Sequence, residues 1–113
     1  MALHQIGKMS LKCSMFYVTA RVQFAYLDAK GDKQVSAQSD EVRLGEVKAV
    51  DPGDLNVPDG STVFMHVFVL PGTDNEASRG FIYQKGSPQV ANYEIKGETI
   101  ENDLVLIGIS SEK

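Results

Sequence analysis

The residue in this chain best suited to chemistry is His66, in the middle of "TVFMHVFVL", residues 62–70. Its ring accepts and donates protons near neutral pH, binds metals, or sits packed with one nitrogen bonded to a neighbour. Three readings follow. His66 is a packed histidine on a covered sheet face, an interface group whose charge tunes association, or a catalytic base or metal ligand. A metal needs two or three further N, S or O ligands, and the only other histidine is His4, near the start of the chain. A catalytic role needs a carboxylate or nucleophile beside the ring.

Two loops carry oxygen-rich side chains. "DPGDLNVPDG" holds Asp51, Asp54, Asn56 and Asp59, and "GTDNEAS" holds Asp74, Asn75 and Glu76. Hard oxygens of this type suit calcium. The spacing does not match an EF-hand, however, and Asp beside Pro and Gly is ordinary turn chemistry. The second loop reads as a solvated tip. No G-x-S-x-G, S-x-x-K, G-x-G-x-x-G or Walker loop occurs, so no cofactor or nucleophile signature is present. Scattered carboxylates single out no glycosidase pair. Cys13 is the only cysteine. It reads as a bland buried thiol, which suits a reducing compartment. Tyr17, Tyr26, Tyr83 and Tyr93 fall on expected strands and read as cross-strand packing. The absence of Trp argues against a sugar-stacking platform.

The elements that must hold these groups repeat with period two. From Phe16 to Tyr26, one face carries Phe16, Val18, Ala20, Val22, Phe24 and Tyr26, and the other carries Tyr17, Thr19, Arg21, Gln23 and Ala25. The apolar character begins earlier, near Leu11, and the run is too long for one strand, so a break is expected near Ser14. "LDAKGDK" is a hairpin turn at Gly31. The segment after it should point Val35, Ala37, Val42 and Leu44 inward. Gly45 ends or bulges that strand and leaves Val47 and Ala49 as the next apolar set. "DPGD" suits a type II turn, with Leu55 and Val57 tucked beneath. Further strands are expected at "TVFMHVFVL", "GFIYQ", "VANYEI" and "DLVLIGI". Helical signals are poor.

Seven to nine short strands in a chain of 113 residues predict a single antiparallel β-sandwich, jelly-roll-like or immunoglobulin-like, with a small closed β-barrel as the alternative. Residues 1–8 read as a loose start before a domain over 9–113. Net charge is −4 and Lys and Arg never cluster, which argues against nucleic acid as a partner. No apolar stretch reaches the roughly 18 residues of a membrane span. No secretory leader is visible, so a cytoplasmic home is the default expectation.

"TVFMHVFVL" and "LVLIGI" are apolar on both faces, whereas the outer side of a lone sandwich should be wet. Part of that outer side must be covered, by a loop of the same chain or by another subunit. The leading expectation is a non-enzymatic module that self-associates through Phe64, His66 and Phe68, joined by Tyr17 and Arg21 if the two strands are neighbours. A loop-based module for sugar or peptide, with calcium assisting, is the second. A small hydrolase or isomerase built on His66 is the third.

Overall fold

The computed structural model describes residues 3–16, 18–98 and 101–112. Eleven strands and one 3-10 turn follow in order: β1 (Gln5–Ile6), β2 (Lys8–Ser14), β3 (Thr19–Leu27), β4 (Lys33–Val35), β5 (Glu41–Val42), β6 (Val47–Val50), the turn Pro52–Leu55, β7 (Thr62–Leu70), β8 (Asn75–Glu76), β9 (Phe81–Tyr83), β10 (Gln89–Gly97) and β11 (Asn102–Ser111). They form two open sheets. One has the order β1-β9-β7-β3-β4, with β5 on β3 and β8 on β7; the other has the order β11-β10-β2-β6. The fold is all-β and sandwich-like, and neither sheet closes into a barrel.

Alternation builds the core. Ala20, Val22 and Phe24 of β3 and Val63, Met65, Val67 and Val69 of β7 face inward and are buried. Met9, Leu11 and Cys13 of β2 and Tyr93 and Ile95 of β10 meet them from the second sheet. Each such large side chain contributes about 1.5–3 kcal/mol on burial. The expected break near Ser14 is the crossing from β2 to β3, where the chain changes sheet.

Four expectations change. Pairing is not wholly antiparallel: β1 runs parallel to β9 and β2 parallel to β10. The start of the chain is integrated from Gln5 onward, because β1 pairs with β9, Ile6 is fully buried and Lys8 opens β2. "DPGD" is a 3-10 turn, with the left-handed φ falling on Asn56 and not on Gly53; Leu55 and Val57 are buried under it as the pattern implies.

The fourth change is in the segment after Gly31. Val35, Leu44 and Val47 are exposed, and Ser36, Ser39 and Val42 are the buried positions. The reason is a repeated bulge. Ser36 N–H bonds the Phe24 carbonyl, Ser39 N–H bonds the Val22 carbonyl, and Val42 stands opposite Ala20. Three residues on this edge therefore match two on β3. A strand with that ratio cannot alternate inward and outward in step with its neighbour.

The last strand carries another bulge. Asn92 faces Gly108 but Tyr93 faces Leu106, so Ile107 is the extra residue. The insertion reverses the phase, and Leu104, Leu106 and Ile109 all pack toward the core while Val105 and Ile107 face solvent. Among the described residues no helix is long and apolar enough to cross a membrane.

Candidate functional site

His66 lies on the outer face of β7, between Phe64 and Phe68, with its side chain 18% exposed. A hairpin centred on Pro71 folds β8 back along β7 and sets Glu76 opposite His66. His66 Nδ1 lies 2.9 Å from Glu76 Oε1, and Nε2 lies 3.1 Å from Asp74 Oδ2. The other Asp74 oxygen accepts from the Val69 N–H at 2.9 Å, which fixes the turn. Glu76 also accepts from Lys33 Nζ at 2.8 Å. Burial of Glu76 favours its protonated form, but the bonds and charges of Lys33 and His66 outweigh that and hold its carboxyl below the ordinary range.

This geometry limits the chemistry. Ionised carboxylates only accept hydrogen bonds, so both ring contacts are hydrogen bonds only when both nitrogens carry a proton. Both ring nitrogens thus face carboxylates of the same chain. Among the described residues no His, Cys, Asp or Glu group is placed to hold a metal. The arrangement Lys33–Glu76–His66–Asp74 instead ties the β7–β8 hairpin to the outer face.

Lys33 belongs to β4, three places from β8 in the sheet order, so its ion pair with Glu76 reaches across the outer face of β3 and β7. Ala25, which points to that face beside Phe64, is fully buried. The Phe64 ring packs against Gly80, where an added Cβ would stand 2.8 Å from the nearest ring carbon.

Of the residues singled out from sequence, Phe64, His66 and Phe68 share this face, all half-buried. Arg21 stands opposite Phe68. Its guanidinium donates to the Ser39 carbonyl at 3.0 Å and so braces the bulged edge. Tyr17 lies outside the described residues. Asp74 and Glu76 were legible as carboxylates but not as partners of His66. The signal was available, since a turn centred on Pro71 places residues five before and five after it in register.

The two polar loops flank opposite ends of β7, nine residues apart, or roughly 26 Å, so they do not form one site. Asp51 accepts from the Tyr83 hydroxyl and from Gly53 N–H, and Asp59 accepts from Lys85 N–H. Their oxygens serve the turn and do not converge. Beside Pro58–Thr62, across from Leu27–Gly31, lies an open groove of about 530 Å3. Its Asp28 is occupied by Gln34 and by the Asp32 and Lys30 amides, which lower its pKa.

No family model matches this chain. No curated protein matches it, and neither does any solved structure.

Proposed function

We propose that the chain is a non-enzymatic binding module that assembles with copies of itself, in a reducing, cytoplasmic setting that suits the lone buried Cys13. The observation that carries this reading is its apolar surface. Nine large apolar side chains among the described residues are more than a third exposed, with Phe16, Val47, Ile107, Leu70 and Val35 each above half. Val105 and Ile107 stand two places apart on β11 and both face solvent, and contiguous exposed apolar surface marks contact sites where single exposed residues do not. The engagement of both His66 nitrogens supports a non-enzymatic role. Light scattering at pH 7.5 tests the proposal: a dimer or larger species is expected, and a monomer at all concentrations overturns it. Repeating the measurement at pH 5.5 asks whether His66 takes part.

The groove beside Pro58–Thr62 favours a second reading, a small carbohydrate or peptide ligand held at one end of the sandwich. Its volume falls within the range of ligand sites. Thermal unfolding against a glycan and peptide panel tests it, and no shift with any compound removes it.

A further inference from the structure

The two sheets have four edges, and they are unequal. β1 offers two residues and β6 four. The edge from β4 to β5 is broken by its repeated bulge, and side chains of Gln23 and Arg21 take the Ser36 and Ser39 carbonyls. Natural sheets protect edges in these ways, by shortness and by bulges. The fourth edge, β11, is ten residues long, and its one bulge, at Ile107, leaves the stretch before it in regular alternation. β8 caps only its beginning, through Asn75 and Asn102. From Leu104 to Ser111 it contains neither a proline nor a charge. Among the described residues, no main chain other than β10 bonds to that stretch. Val105 and Ile107 flank the open edge at 39% and 61% exposure.

We infer that β11 pairs edge to edge with β11 of a second copy, joining two four-stranded sheets into one of eight strands. This deepens the self-assembly reading and rests on it. A row of free N–H and C=O groups is matched by another strand and by little else. The sequence of β11 suits itself as that strand. In an antiparallel pair about a twofold axis at Val105, within the regularly alternating stretch before the bulge, the two Val105 side chains stand opposite one another and Leu104 of each copy stands opposite Leu106 of the other. Asp103 then meets Ile107, so no like charges oppose. Direct apolar cross-strand pairs of this kind stabilise antiparallel sheets, and a twofold interface closes on itself as a dimer.

The test uses the full chain. Light scattering at rising concentration is paired with hydrogen exchange of the β11 amides. A concentration-dependent dimer with growing protection over 103–107 is expected. The variant Val105→Lys places lysines opposite one another and should be monomeric, with a melting temperature that does not depend on concentration, while Val47→Lys, at the far edge, should remain dimeric. If Val105→Lys still dimerises and β11 exchange is independent of concentration, edge pairing is overturned and self-assembly through another surface stands. A wild-type chain that stays monomeric overturns both.

Discussion

The Ser36 hydroxyl takes the place of a main-chain carbonyl opposite Phe24. Ser36 N–H donates to the Phe24 carbonyl at 2.8 Å, and the Phe24 N–H donates back to Ser36 Oγ at 2.9 Å. Ser39 repeats the exchange with Val22. The backbone turns away from β3 at each bulge, so its own carbonyl cannot accept, and a short hydroxyl is what reaches. Ser is therefore buried on this edge where an apolar residue would leave β3 donors unpaired.

Ser36→Ala and Ser39→Ala should each destabilise the fold by about 1–3 kcal/mol, the cost of a buried N–H left without a partner. Urea unfolding checks this. Threonine at the same positions keeps the hydroxyl and should recover part of the loss, which a merely volumetric effect would not.

Gly7→Ala should be among the most damaging single substitutions. An added Cβ would collide with the Ser87 carbonyl, which is backbone and cannot swing aside. Gly7 N–H also bonds the Gln89 carbonyl between the two sheets' first strands. Overpacking of this kind costs about 1–3 kcal/mol and occasionally more. A melting temperature equal to that of the parent would contradict the integration of residues 5–8.

Glu76 gives a stability that depends on acid. Its folded-state pKa lies below the ordinary value of 4.5. The contribution is therefore present above that value and is lost as pH falls through the lower, folded one. In Glu76→Gln the slope of stability against pH should flatten in that window. Because Glu76 and Lys33 are partly exposed, the change is small and shrinks in high salt. An unchanged slope would mean that the Lys33–Glu76–His66 contacts do not persist in solution.

Tyr83 should respond to base. Burial, followed by the bond to Asp51 and its charge, pushes its hydroxyl up to about 12. Burial also raises Tyr93 to about 12. The stability from keeping these groups neutral is complete below their ordinary value of 10 and is lost as pH rises through about 12. Ultraviolet titration should show two late tyrosines coupled to unfolding. Tyr83→Phe should remove one of them and loosen the Pro52–Leu55 turn.

Much of the fold was written in local pattern. Period two over Thr62–Leu70 gave the bounds of β7 and the two sets of side chains that share a face, because a pleated strand turns every second side chain the same way; both sets being apolar, packing decided which of them is buried. Glycine marked the turn at Gly31, which adopts a positive φ. The sequence by itself thus determined an all-β chain, its principal strands and most of its core. It could not show which strands are neighbours. The parallel pairing of β2 with β10 joins segments some eighty residues apart, from Val90 opposite Lys8 onward, and no local signal encodes it. Nor could it show bulges, where a shift of one residue exchanges inside for outside, as at Ser36 and Ile107. His66 illustrates the division. That it shares a face of β7 with Phe64 and Phe68 follows from period two alone, but which face is outer, and that Asp74, Glu76 and Lys33 gather there, depends on how the strands pair and pack, which only the tertiary structure sets.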